Sequence, residues 1–191
     1  VVLGYDNIRQ YADTVNSPSD FGATIGRYAN RINKGKVTIA GQEYQLAVNN
    51  FGHSLHGGPS GWQYQVYDAT QVDDQTLKLT IVSPDGDNGF PGTVTATATY
   101  KLTENNILDC TFEATTDKET IINMCNHSYF TLTGNPGQPG TDMVLYVNAD
   151  KFTPSDSTYM TTGEVRDVYG TPMDFNKKRP LYECIGDTSF V

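Results

Sequence analysis

Five consecutive residues, Asn126-His127-Ser128-Tyr129-Phe130, carry side chains suited to acid–base work on a polar ligand. The imidazole titrates near neutral pH and stands between an amide, a hydroxyl and two rings, just after the apolar run Ile121, Ile122, Met124. A histidine so placed at a strand end has the chemistry to protonate a sugar oxygen. Aromatic faces beside it can pack on the C–H surface of a pyranose. The competing reading is a histidine hydrogen-bonded into a turn, and the short motif by itself does not decide between them.

Two further clusters carry candidate chemistry. His53-Ser54-Leu55-His56-Gly57-Gly58-Pro59 places two imidazoles three residues apart. That spacing suits a metal pair, but no third ligand follows at a suitable distance, and Gly-Gly-Pro favours a tight loop. Gly57 and Gly58 would let another backbone or a ligand approach closely. Gly26-Arg27-Tyr28-Ala29-Asn30-Arg31-Ile32 holds two guanidiniums four residues apart. They would share a helix face, yet Gly22, Gly26 and Gly35 argue for a loop-like segment. Arginine forks bind carboxylates or vicinal hydroxyls, and at least one of these two is expected to pair with a structural Asp.

The elements that must position these groups read as strands and turns. Residues 93–102 alternate strictly, with Val94, Ala96, Ala98, Tyr100 and Leu102 on one face and threonines with Lys101 on the other. Glu104-Asn105-Asn106 forms a turn, after which Leu108, Cys110, Phe112 and Ala114 resume the alternation. That is a hairpin with one apolar and one polar face. Leu77, Leu79 and Ile81 mark another strand, ended by the turn-rich stretch of residues 83–89. Residues 37–48 read as a hairpin turning at Ala40-Gly41-Gln42, residues 143–147 as a short apolar strand, and residues 132–141 as a loop. Antiparallel strands with one wet face and many short turns predict an all-β sandwich of large sheets.

Composition bounds the function. The chain has 191 residues and a net charge of −9. An acidic surface argues against nucleic acid and anionic membranes as partners, since both reward clustered Lys and Arg. No apolar stretch approaches the length of a membrane span. Cys110, Cys125 and Cys184 are an odd set without metal-pair spacing, so buried free thiols are expected, compatible with a cytoplasmic location. Val1-Val2-Leu3-Gly4 lacks the features of a signal peptide, and the last residues, 187–191, read like the interior of a longer polypeptide.

Taken in order, GRYANRI, HSLHGG, SPDGDNGFPG and NHSYF closely resemble the aldose 1-epimerase (galactose mutarotase) family. FTPSDSTYMTTGE at residues 152–164 and GTPMDF at residues 170–175 add to the match. The resemblance implies a β-supersandwich of large, mostly antiparallel sheets, and identifies residues 1–191 as the central portion of a single such domain. It also implies interconversion of the α and β anomers of a free aldohexose, galactose or glucose, with no cofactor and no metal. In that chemistry a carboxylate takes the proton of the C1 hydroxyl while an imidazolium donates to the ring oxygen. The ring opens, the carbonyl end rotates, and the ring closes on the other face. The family's acid falls on His127, with Ser128 and Tyr129 at the sugar-facing turn. Its sugar-binding pair falls on Asn30 and Arg31, and its second sugar-facing histidine on His56. Arg27 is left a structural role and His53 a loop role. Two other readings share the scaffold: a non-catalytic carbohydrate-binding module, and a hexose-phosphate epimerase, which the acidic balance disfavours.

Three departures from the pattern stand out. Cys125 occupies a position usually Thr, and Thr131 one usually Asn; both substitutes are small, and tuning rather than loss is expected. The family's general base is a Glu further toward the C-terminus, and its sugar-binding Asp belongs to a Gly-Tyr-Asp-His-type motif expected shortly after Val191. Glu183 and Asp187 lack that context and read as surface residues. The strands that precede a VVLGYD segment in the family are likewise expected outside these residues. A sandwich cut at both ends exposes sheet edges. A complementary fragment of the same protein, or self-association through open edges, is therefore expected alongside the small-molecule aldohexose.

Overall fold

The computed structural model describes residues 1–13 and 20–187. These fall into two compact units, Gly4–Ser128 and Val1–Leu3 with Tyr129–Val191, taken here in turn. Residues 188–191 of the apolar C-terminal stretch lie outside the described residues.

In the larger unit, a one-turn helix α1 (Ile8–Ala12) is capped by Asn7, whose side chain accepts from the Arg9 and Gln10 amides. Strands β1 (Thr24–Ile25), β2 (Arg31–Ile32), β3 (Lys36–Ile39), β4 (Gln42–Gln45) and β5 (Ser54–Leu55) follow. Then come β6 (Asp68–Asp73), β7 (Thr76–Ser83), β8 (Val94–Leu102), β9 (Leu108–Thr116) and β10 (Cys125–Asn126). The last four before β10 form one antiparallel sheet in the order β6-β7-β8-β9. The short strands pair as β1–β10, β2–β5 and β3–β4. The β3–β4 hairpin turns through Ala40 and Gly41 at φ of 51° and 80°, the left-handed pair that a two-residue turn matched to strand twist requires.

The predicted alternation of β8 is real where the strand is covered. Val94, Ala96 and Ala98 are buried, and Val94 and Ala96 join Trp62 and Ile81 in a core against which Tyr67 and Met124 pack. Trp62 is 1% exposed. A tryptophan so buried withdraws about 150–250 Å² from water, worth about 4–6 kcal/mol of transfer free energy. β9 pairs with β8 through its whole length, Tyr100 opposite Cys110 and Ala98 opposite Phe112. Its face is not covered as the alternation suggested: Leu108 is 45% exposed, Ala114 is exposed and Cys110 is exposed. β9 is an outer strand, so its pattern marks a face able to be buried rather than one that is. The expectation of buried thiols is corrected accordingly: Cys110 is exposed, and Cys125 and Cys184 are half-buried free thiols.

The smaller unit contains β11 (Val144–Leu145), β12 (Lys151–Phe152), β13 (Arg166–Asp167) and β14 (Arg179–Pro180). They pair as β11–β14 and β12–β13, both antiparallel. Only Val144–Leu145 of the predicted 143–147 strand is paired as a strand. The 152–164 motif is a β-turn system: the Asp156 carboxylate accepts from the Thr158 and Met160 amides. The 170–175 motif returns the chain, with Phe175 buried beneath the Arg179 guanidinium at 4.6 Å. Among the described residues, no helix is long and apolar enough to cross a membrane.

Candidate active site

The scaffold of the site is a buried arginine. Arg27 is 1% exposed and donates to the carbonyls of Pro91 (2.8 Å), Gly92 (3.0 Å), Ser83 (3.2 Å) and Pro84 (3.2 Å), and to the Ser83 hydroxyl (2.6 Å). The SPDGDNGFPG loop thus wraps one guanidinium and ties it to the end of β7. Arg27 is structural, as expected, but its direct partners are carbonyls and a hydroxyl rather than a carboxylate. Asp87 acts through Ser83, whose hydroxyl donates to it at 2.5 Å. Burial lowers the Arg27 pKa, while the nearby charges of Asp87, Asp85 and Asp117 raise it in return.

Two glycines set the approach of the loops. A Cβ on Gly26 would lie 1.9 Å from the Trp62 ring, and one on Gly57 would lie 2.1 Å from the Gly26 carbonyl oxygen. Gly57 also sits at a φ of 83°, which L side chains rarely adopt. The HSLHGG loop can therefore lie directly on the GRYANRI segment, and β2 pairs with β5 with Arg31 opposite Leu55.

That pairing brings Asn30, Arg31 and His56 together. Asn30 stands at φ of 65°; its amide N–H donates to His56 Nδ1 at 3.0 Å, and its carbonyl accepts from the His56 amide at 3.1 Å. An accepting Nδ1 places the proton of the neutral ring on Nε2. Burial, then the charges of His127 and Arg31, push the His56 pKa down to about 4. His56 is therefore a neutral donor near neutral pH. Arg31 donates from Nε (3.2 Å) and Nη2 (2.8 Å) to the Asn50 side-chain oxygen.

His127 continues the β1–β10 ladder. Its amide donates to the Ala23 carbonyl at 2.9 Å, and its own carbonyl accepts from the Gly22 amide at 3.3 Å. The ring meets that of His56 edge-on, centroids 5.2 Å apart at 86°. Ser128 follows, its amide bonded to the Asn126 side chain at 2.7 Å in a tight local turn. Of the residues singled out in the sequence, Asn30, Arg31, His56, His127 and Ser128 thus lie in one unit, and Arg31, His56 and His127 form one neighbourhood. Tyr129 begins the smaller unit. His53 is buried away in its loop, with Nδ1 accepting from the Lys34 amide at 3.1 Å. Among the described residues, no three His, Cys, Asp or Glu side chains gather as a metal-binding group. Glu183 and Asp187 are exposed.

Sequence reasoning missed the groups that work through the fold. Asn50 holds Arg31; Asn126, named above only as a flanking amide, sets the turn after His127. Asp20 is half-buried near His127 and bonds to Tyr64. Asp20 and Tyr64 also line, with Tyr5, Tyr11, Phe21 and Gln63, a cavity of about 170 Å³. Asn50 had a weak signal in the Asn49-Asn50 pair just before the HSLHGG motif; Asp20 had none.

The model of the family described as "Aldose 1-epimerase" matches residues 1–189. The chain belongs to the aldose 1-epimerase family. Galactose mutarotase of Sus scrofa is 38% identical over 177 residues, 93% of this chain and 50% of that protein. The GalM/aldose epimerase homologue from C. elegans superimposes with a TM-score of 0.89 at 30% identity, over 98% of this chain and 56% of that one. Galactose 1-epimerase from Lactobacillus acidophilus NCFM gives a TM-score of 0.87 at 31% identity, over 98% and 55%. The expected all-β, galactose mutarotase-like fold is thus the fold of these aldose 1-epimerase relatives. The chain spans about half the length of the relatives it matches.

Proposed function

We propose that this chain supplies the acid side and part of the sugar pocket of an aldose 1-epimerase that interconverts the anomers of a free aldohexose such as galactose or glucose. The observation that carries this reading is the contact of two unlike imidazoles. The Asn30 amide fixes the His56 tautomer, burial with the charges of His127 and Arg31 keeps that ring neutral, and His127 stands 5.2 Å from it. In this arrangement His127 donates a proton to the ring oxygen as the bond between that oxygen and C1 breaks. His56 Nε2–H and the Arg31 guanidinium donate to the C1 and ring oxygens as charge shifts between them. Asn30 and Asn50 hold the two donors in place. The C1 hydroxyl proton goes to a carboxylate supplied by a part of the protein outside these residues, consistent with a chain that spans about half of its relatives.

A complementary segment of the same protein is the partner that fits the exposed faces. Ile107 is 54% exposed on the β8–β9 turn, and Val144 is 59% exposed on β11. Polarimetry on freshly dissolved α-D-galactose tests the reading. The protein should speed the approach to the equilibrium rotation; sugar binding without acceleration would instead mark a carbohydrate-binding module.

A further inference from the structure

The cavity of about 170 Å³ in the larger unit takes no part in the proposed mutarotation, and its walls are aromatic. Tyr5 stands edge-on to Tyr11, ring centroids 5.1 Å apart at 79°, and lies tilted by 35° against Phe21 at 5.2 Å. Tyr64 adds a fourth ring from the 3-10 turn Trp62–Tyr64. The chain folds back on itself to build this wall. Gly4 permits it, since a Cβ there would lie 2.5 Å from the Tyr11 hydroxyl. That hydroxyl accepts from the Tyr5 amide at 2.9 Å, which ties α1 to the segment before it. Tyr11 and Tyr64 are 43% and 41% exposed, so both rings reach the mouth of the cavity. Among the described residues that line it, Asp20 is the one charged side chain, and it is half-buried. Burial pushes the Asp20 carboxyl up from its ordinary value, against the charge of His127 and a Tyr64 hydrogen bond that pull it down. A carboxylate in such surroundings gains from a cation beside it.

Backbone donors along this wall are already used. The Gly22 amide donates to the His127 carbonyl at 3.3 Å, Ala23 to the Asp20 carbonyl at 3.1 Å, and Tyr64 to the Gly61 carbonyl at 3.0 Å. The Tyr5 amide is taken by Tyr11. What the cavity presents is therefore π faces and a carboxylate, which accepts hydrogen bonds and donates none when ionised. A pyranose carries hydroxyls around its whole edge and would find few donors here. A primary ammonium needs three acceptors. A quaternary ammonium carries the charge without N–H groups, and ring faces attract it most strongly when it is desolvated. An apolar cavity of about 150 Å³ admits benzene, and a trimethylammonium head is no bulkier. We propose that the cavity walled by Tyr5, Tyr11, Phe21 and Tyr64, with Asp20 as counter-charge, binds a quaternary ammonium head such as a trimethylammonium group. The net charge of −9 favours the approach of such a cation. The proposal does not depend on the role given to His127.

The test titrates this chain with choline and with 3,3-dimethylbutanol, its uncharged carbon analogue, following tyrosine ring resonances by NMR. Choline should bind saturably, and the analogue at least about 10-fold more weakly, since it matches the shape and lacks the charge. Asp20→Asn and Tyr5→Leu should each weaken choline binding by about 5–10-fold. Excess galactose should leave choline binding unchanged. A second arm tells a free solute from a lipid headgroup, by co-sedimentation with phosphatidylcholine vesicles. Choline binding without retention on the vesicles assigns the site to a small solute. Retention that is lost in Asp20→Asn assigns it to the lipid headgroup. The proposal is overturned if neither choline nor the vesicles bind, if the analogue binds as tightly as choline, or if galactose displaces choline. Should either variant not fold, choline against its analogue on the parent chain decides alone. None of these readouts requires mutarotation, so a chain that binds choline and does not turn over sugar would refute the proposed function and leave this site standing.

Discussion

At the scale of single residues, the site separates two histidines by environment rather than by type. His56 has its Nδ1 occupied and its pKa depressed to about 4, against an ordinary 6.5. The consequence for stability has a definite sign. A depressed folded-state pKa contributes stability that is fully present above the unfolded value and is lost as pH falls toward the folded one. The melting temperature should therefore drop as pH is lowered from about 6.5 to 4, beyond the loss caused by carboxylate protonation. His56→Asn, whose side-chain oxygen can take the Asn30 amide and which tolerates the φ of 52°, should flatten that part of the profile. Calorimetry across this pH range checks it; parallel curves for the two proteins would contradict the assignment. The motifs put His56, His127 and Arg31 forward as candidates, and the fold brings the three into one neighbourhood. The roles of Asn50 and Asn126 were not legible in the sequence, because an amide that holds another group in place shows what it holds only once the chain has folded around it.

At the scale of elements, close approach and a buried cation do the positioning. Gly57→Ala must displace the Gly26 carbonyl or abandon the β2–β5 pairing, and it adds strain at a left-handed φ. A loss of at least about 2–3 kcal/mol is expected, or roughly 5–10 °C in melting temperature. Because β2 carries Arg31, sugar affinity should fall with it. Arg27→Lys keeps the charge but cannot span the carbonyls of Ser83, Pro84, Pro91 and Gly92. It should cost about 3–5 kcal/mol, visible as a lower urea midpoint, and an unchanged midpoint would show that the loop holds itself. The strands show what pattern conveys. The alternation of β8 gave its length and its buried face, because Trp62 and Ile81 cover that face. The same alternation in β9 gave the strand and the hairpin but not its burial, because burial depends on what lies opposite. The paired strands of two residues each, β1, β2, β5 and β10, carry the site and are too short for any periodicity to reveal.

At the scale of the whole molecule, family and fold were legible because six motifs occur in order, and the comparisons with known proteins agree. The division into two compact units was not, since it falls between Ser128 and Tyr129, inside the NHSYF motif rather than in the Gly- and Pro-rich loop that follows. Large apolar side chains are exposed in both units. The 21.0 kDa chain alone should self-associate in a concentration-dependent way, and Leu108→Lys should shift it toward monomer in sedimentation velocity. A chain monomeric at all concentrations would contradict this. The central claim concerns one proton, and polarimetry of α-D-galactose with the complete protein tests it most directly. His127→Ala should slow catalysed mutarotation by about 10²–10⁴-fold while sugar binding persists. A His127→Ala protein that still mutarotates at the parent rate would contradict the assignment of His127 as the acid.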